Sequence, residues 1–190
     1  MKTIAVDLDD TLSNFTETLQ TTEFVRDATH VVSEEVFHDY LAKIRSGAPD
    51  TSDLLSNEYS SFRGKIICKC HELALARADG IEFMQWLRAD RWRIVICTHS
   101  DLRRDGHCIK KWLHDHRIPY DYLFMAWNKL EFCRAWKIEY LVDDQELNIL
   151  HGGSYGVKVF YPMMPKHTAL PSNEARGFGT FDEVRQWIQN

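Results

Sequence analysis

Carboxylates gather at two places in this chain, each time directly after a short apolar run. Asp7, Asp9 and Asp10 follow Thr3-Ile4-Ala5-Val6, and Asp143 and Asp144 follow Tyr140-Leu141-Val142. A strand that carries acids to its C-terminal end builds a place for a hard divalent cation, which prefers oxygen ligands. The run Ile94-Val95-Ile96-Cys97 ends in Thr98 and His99. A hydroxyl with neighbouring backbone N–H groups suits phosphate oxygens, and His99 stands close enough in sequence to touch phosphate or base. Lys129 follows the run Tyr122 to Ala126 and opens the next helical stretch, where its ammonium can meet a phosphoryl group. Lys137, near the end of that stretch, is a competing candidate at a place that also suits a cation beside a helix C-terminus. Acids, hydroxyl, lysine, acids: this order points to cation-assisted phosphate chemistry.

Such groups converge only if the strands lie parallel, because ligands of open α/β sheets collect beyond the carboxyl ends of the strands. Apolar runs at Thr3 to Val6, Arg93 to Cys97, Tyr122 to Ala126, Tyr140 to Val142 and Val157 to Tyr161 alternate with amphipathic stretches. That alternation predicts an α/β, Rossmann-like fold with a parallel sheet. Ile109, Trp112 and Leu113 share one face of a helix over 106–117, and Leu130, Cys133, Ala135 and Trp136 suggest another. In Thr180-Phe181-Asp182-Glu183 the threonine can cap a last helix while Glu183 bonds back to it.

The stretch 13–78 breaks the alternation and reads as an inserted helical domain, leaving 1–12 and 79–190 as the core. Ser33-Glu34-Glu35 can start a helix with Val36, Phe37, Tyr40, Leu41 and Ile44 on its apolar face, ended by Gly47 and Pro49. A second helical stretch covers much of Glu58 to Leu75. Asp79-Gly80 reads as a turn before a helix carrying Ile81, Phe83, Met84, Trp86 and Leu87, and Gly152-Gly153 reads as a loop.

With 190 residues and 44% hydrophobic content, the chain can bury one good core and a small accessory domain. A net charge of -5 argues against binding duplex nucleic acid, which needs a basic footprint. Small anionic substrates remain available wherever a metal or local cations neutralise them. Five cysteines, an odd number, fit reduced thiols in a cytoplasmic protein better than a disulfide framework. The acids at Asp7, Asp9 and Asp10 fall where a signal peptide would be apolar, and no run approaches a membrane span. Homodimerisation stays open.

Asp7-Leu8-Asp9-Asp10-Thr11, Thr98, Lys129 and Asp143-Asp144 together resemble the motifs of the haloacid dehalogenase (HAD) superfamily of phosphohydrolases. The resemblance implies Asp7 as nucleophile, Asp9 as general acid and base, and Thr98 and Lys129 as phosphate ligands. It implies Mg²⁺ held by Asp7, the backbone carbonyl of Asp9, and Asp143 or Asp144. The insert at 13–78 resembles a C1-type helical cap. Ile96-Cys97-Thr98, His107-Cys108, Lys111-Trp112 and Leu141-Val142-Asp143-Asp144 further resemble the 5'(3')-deoxyribonucleotidases, whose cap aromatics stack on a base. Phe15, Phe24, Phe37, Tyr40, Tyr59 and Phe62 are available for that role. His99 and Ser100 depart from that pattern, as does the lack of prolines before Gly80. The implied substrate is a nucleoside or deoxynucleoside monophosphate. Sugar phosphates, a polynucleotide 3'-phosphate, and a non-catalytic binder of nucleotide or protein stay open.

Three further features invite other readings. Cys68-Lys69-Cys70-His71 lacks a second ligand pair at zinc-site spacing and is expected to be helical core. His107 is expected near the site. Arg103, Arg104, Lys110, Lys111 and Arg117 form a solvated basic face from which Arg103 or Arg104 could reach an anion.

Overall fold

The structure, a computed structural model, describes residues 2–21, 57–100, 102–164 and 175–190, together with Arg26 and His167. The strands are β1 (Thr3–Val6), β2 (Arg93–Thr98), β3 (Tyr122–Met125), β4 (Tyr140–Val142), β5 (Lys158–Pro162) and β6 (Ala175–Phe178). They form one sheet in the order β3-β2-β1-β4-β5-β6, with every pairing parallel. The helices are α1 (Phe15–Gln20), α2 (Asn57–Leu73), α3 (Ala78–Ala89), α4 (Leu102–Asp115), α5 (Lys129–Trp136), α6 (Glu146–His151) and α7 (Phe181–Gln189). β1 pairs with β2 on one side and β4 on the other, so the winding reverses at β1. A crevice opens at such a reversal, beyond the strand ends.

Alternation along β1 sends its side chains into two separate cores. Ile4 and Val6 pack with Met84 and Leu87 of α3, Ile109 and Leu113 of α4, and Val184 of α7. Ala5 faces the other way, toward Leu130 and Cys133 of α5 and Ile149 of α6. Burial on both faces explains why the strands read as unbroken apolar runs. The apolar face expected over 106–117 is buried, although α4 begins earlier, at Leu102. Arg117, at φ 54°, turns the chain out of the helix.

The structure corrects four local expectations. Asp79 and Gly80 belong to the first turn of α3 and do not form a turn before it. The Asp79 carboxylate is occupied by the Arg77 guanidinium and by the backbone N–H of Gly80 and Phe181. α7 is thus capped by Asp79 from across the fold; Thr180 makes no side-chain cap, and Glu183 accepts from Gly179 instead. Gly152 and Gly153 lie in a short 3-10 helix, Gly152–Tyr155, where a Cβ on Gly152 would stand 2.8 Å from the Val157 carbonyl oxygen. Cys68 and Cys108 form a disulfide between α2 and α4, whereas Cys70, Cys97 and Cys133 are free and buried. Side-by-side packing of the two helices brings these partners together across 40 residues of sequence.

Of the expected insert, a helix over much of Glu58 to Leu75 is present as α2. The helix read at Val36 to Ile44, and the aromatics Phe24, Phe37 and Tyr40, lie outside the described residues. Ser13 and Ala76 form an antiparallel bridge that joins the segment before α1 to the segment before α3. Trp112 of α4 braces this junction, its Nε1–H donating to the Ala74 carbonyl at 2.9 Å in a buried position. Trp112→Phe strips that carbonyl of a donor, and a stability loss of about 1–3 kcal/mol is expected. It should be read as a lower urea midpoint at unchanged slope. Among the described residues, no helix is long and apolar enough to cross a membrane.

Candidate active site

Parallel register puts the two acidic motifs side by side. Val6 pairs with Val142, and the Asp7 N–H donates to the Val142 carbonyl at 2.8 Å, so Asp7 and Asp143 leave adjacent strand ends together. Lys129 reaches them from the first turn of α5, which is fixed by the Asn128 side chain accepting the Glu131 N–H at 2.9 Å. Its Nζ stands 2.7 Å from Asp7 Oδ1 and 2.7 Å from Asp143 Oδ2, and the residue is only 1% exposed. Lys137, by contrast, is the exposed, left-handed C-cap of the same helix. Of the two lysines, only Lys129 enters the site.

The electrostatics of this cluster are unbalanced. Burial raises the Asp7 pKa well above the ordinary 3.8; Lys129 pulls it down, but Asp143, Asp144 and Asp9 push it further up. Burial disfavours the Lys129 charge too, yet Asp7 and Asp143 outweigh it and hold the ammonium protonated. Carboxylate oxygens of Asp7, Asp143 and Asp144 lie within 4.8 Å of one another. Among the described residues these three acids face one ammonium, that of Lys129, so the cluster holds more acidic groups than cations. Hard oxygen donors and that surplus fit Mg²⁺.

Asp143 is held from behind by groups that its motif does not reveal. Its Oδ1 accepts from the Gln145 N–H at 2.8 Å and from Asn148 Nδ2 at 3.1 Å. With Oδ2 on Lys129, both carboxylate oxygens are engaged. His167, 2% exposed, braces the next residue, with Nε2 2.7 Å from the Asp144 carbonyl and Nδ1 2.8 Å from that of Pro162. Neither Asn148 nor His167 carries a sequence signal of its own.

The turn after β1 sets Asp9 and Asp10 to different work. The Leu8 carbonyl accepts the Leu12 N–H at 2.9 Å, and Asp10 adopts φ 58°, a left-handed conformation that Asp tolerates better than most residues. The Asp10 carboxylate binds the Thr16 N–H at 2.7 Å and the Thr16 hydroxyl, tying the turn to α1. Asp10 is therefore structural. Asp9 is 27% exposed at its side chain, but its Oδ1 is buried and has no hydrogen-bond partner among the described residues. Burial and the neighbouring Asp10 raise its pKa to about 8, so the protonated acid is its main form at neutral pH.

His71 of α2 is the residue that the sequence did not offer. It is fully buried, packs against the Phe15 ring, and places Nε2 3.6 Å from Asp9 Oδ1. Burial lowers its pKa to about 4, so the ring near Asp9 is neutral. The only hint was its place in Cys68-Lys69-Cys70-His71, and the structure scatters that group. Cys68 joins α4, the Cys70 thiol faces the Phe15 carbonyl, and His71 alone turns to the site.

Thr98 ends β2 and is 1% exposed; its Oγ1 accepts the Ser100 N–H at 3.1 Å, an arrangement that keeps the hydroxyl proton for donation. His99 lies within electrostatic range of Lys129 and Asp143, with burial the main reason its pKa is lowered. Its Nε2 is 3.2 Å from the Trp127 carbonyl, and its ring stacks on Trp127. His107 does not join the site, since it lies exposed beside the two disulfide sulfurs. Arg104 is taken by Asp105 through two bonds of 2.9 Å.

Asp9 also makes stability depend on pH. Its folded-state pKa exceeds the ordinary 3.8, so its contribution is full below about 3.8 and is lost as pH rises toward about 8. In metal-free buffer, Asp9→Asn should raise the melting temperature at pH 8 and flatten its fall between pH 4 and pH 8. Thermal melts of the two proteins across that range check this.

No protein-family model matches the chain, and no curated protein matches it either. Solved structures do match along its whole length. A haloacid dehalogenase-like family hydrolase from Streptococcus pneumoniae superposes with TM-score 0.67 at 13% identity, over 100% of this chain and 99% of the other. The HAD-hydrolase YfnB from Bacillus subtilis, a structure bound to magnesium, gives 0.65 at 12% over 100% and 99%. A HAD phosphatase from Thermococcus onnurineus gives 0.64 at 16% over 99% and 98%. At these identities the likeness is one of architecture: the chain has the α/β, Rossmann-like fold of the haloacid dehalogenase type.

Proposed function

We propose that the chain is a Mg²⁺-dependent phosphomonoester hydrolase working through an aspartyl-phosphate on Asp7, with a nucleoside or deoxynucleoside monophosphate as substrate. The observation that carries this reading is the buried Lys129 ammonium set between Asp7 and Asp143 at 2.7 Å from each. It offers positive charge where an anionic nucleophile must meet an anionic phosphate. Asp7, Asp143 or Asp144, and the backbone carbonyl of Asp9 would hold Mg²⁺. The ion would neutralise phosphate charge and orient the group for in-line attack.

An Asp7 carboxylate oxygen attacks phosphorus, and the bond to the leaving oxygen breaks as Asp9 donates its proton. Asp9, now a carboxylate, takes a proton from water; the water oxygen attacks phosphorus and releases Asp7 with inorganic phosphate. Thr98 donates to a phosphate oxygen, and His99 borders the same strand end. A raised Asp9 pKa suits the first proton transfer, since the acid must be loaded at working pH. A module that only bound nucleotides would gain nothing from that acid. The kcat/KM profile, which reports the free enzyme's acid, should therefore fall as pH rises toward and through about 8.

Phosphate release from a panel with Mg²⁺ tests the proposal. The panel holds nucleoside and deoxynucleoside monophosphates, sugar phosphates and a 3'-phosphorylated oligonucleotide. Highest kcat/KM on the monophosphates supports the substrate assigned here. Preference for sugar phosphates or the oligonucleotide replaces the substrate and keeps the chemistry, whereas no turnover of any ester removes both.

A further inference from the structure

Outside the catalytic crevice, one cluster joins reactive side chains from two helices. Cys68 of α2 and Cys108 of α4 stand with Cα atoms 5.3 Å apart, within the span a disulfide bridges without backbone movement. His107 Nε2 lies 3.2 Å from Cys108 Sγ and 3.7 Å from Cys68 Sγ. His107 is exposed and Cys68 half-buried, so a small solute reaches them. The remaining three cysteines are sealed in the interior, where burial pushes their thiols up, Cys133 to about 12.

We propose that Cys68 and Cys108, served by His107, form a reversible oxidation site that latches α2 to the core. The oxidant is a hydroperoxide. In the reduced protein His107 takes the Cys68 proton, and the thiolate sulfur attacks a peroxide oxygen. An S–O bond forms, the O–O bond breaks, and the departing hydroxide recovers the proton from His107 as water. The Cys108 thiol then attacks the Cys68 sulfur; the S–S bond forms, the S–O bond breaks, and the thiol proton leaves with hydroxide as a second water. Two thiols lose two electrons, and hydrogen peroxide is reduced to two waters. A dithiol reductant returns the pair to thiols by exchange.

The position of the latch gives it a consequence. Cys68 and His71 lie on the same helix three residues apart, and His71 reaches Asp9 Oδ1 at 3.6 Å. α4 enters the same packing, with Arg104 folded over Gly64, where a Cβ would come within 2.9 Å of Arg104 Cδ. Joining Cys68 to Cys108 therefore fixes the helix that stands over Asp9. The thiol chemistry stands apart from any phosphatase activity, so failure of one reading leaves the other intact.

The test combines thiol counting by alkylation and mass spectrometry with hydrogen exchange on the full chain. After a reductant and its removal, five thiols should alkylate under denaturing conditions; after hydrogen peroxide, three should, with Cys68 and Cys108 joined in one peptide pair. The oxidised form should show slower amide exchange in α2. His107→Ala, an exposed change, should slow disulfide formation by about 10²-fold. Cys68→Ser should abolish it while leaving the circular dichroism spectrum unchanged. Zinc retained by the reduced protein through these three side chains would overturn the proposal. So would disulfide formation at the wild-type rate in His107→Ala, or exchange in α2 that ignores the oxidation state.

Discussion

Asp7→Asn should lower kcat/KM on the best phosphomonoester by at least about 10⁴-fold while the protein stays folded. An amide nitrogen or oxygen is a far weaker nucleophile than a carboxylate, and removing the attacking atom removes the covalent route altogether. The fold should survive because the native Asp7 charge is itself unfavourable: burial and three neighbouring acids raise its pKa even with Lys129 in contact. Asparagine keeps the shape, removes that repulsion, and still offers an oxygen toward Lys129 at the position now 2.7 Å away. Steady-state kinetics beside a thermal melt separates the two effects. A melting temperature near that of the wild type, with activity gone, is the expected pair of results.

Lys129→Met should be the most destabilising single change in the site, costing about 3–5 kcal/mol. The side chain is 1% exposed, and its loss leaves Asp7 and Asp143 buried without the ammonium that lies between them. Removing one partner of a buried ion pair costs more than removing the whole pair, because the remaining charge has lost both water and counter-charge. The penalty should shrink on acidification, as protonation of the carboxylates relieves their repulsion. Added Mg²⁺ should recover part of it, since the oxygens of Asp7, Asp143 and Asp144 lie within 4.8 Å of one another. Urea titrations of both proteins at neutral and acidic pH, with and without Mg²⁺, measure each effect.

The parts of the site that were legible in sequence are those fixed by local periodicity. A parallel strand buried on both faces reads as an apolar run, and its end reads as the first polar residue, which located Asp7, Thr98 and Asp143. Lys129 was legible as the first residue of the following helix. His71, Asn148 and His167 were not, because their roles arise where distant segments pack together. His71 meets Asp9 only through the packing of α2 beside the turn after β1, and His167 meets a carbonyl 23 residues before it in sequence, that of Asp144. The α7 cap failed for the same reason: its acceptor is Asp79, 102 residues before Phe181, and no local pattern can report that distance. β6, Ala175–Phe178, holds Arg176 and Gly177 where a strand signal would need β-branched or aromatic residues. An odd cysteine count carries no information on which side chains helix packing brings together, as it does Cys68 and Cys108.

In the proposed mechanism Asp7 carries the phosphoryl group between substrate and water. Acid quench of enzyme during turnover, followed by proteolysis and mass spectrometry, looks for it directly. The proposed mechanism requires phosphate on the peptide containing Asp7, at the Asp7 carboxylate, appearing within the first turnover and absent from Asp7→Asn. Inorganic phosphate released at every quench time with Asp7 never modified, or turnover at the wild-type rate by Asp7→Asn, would contradict it.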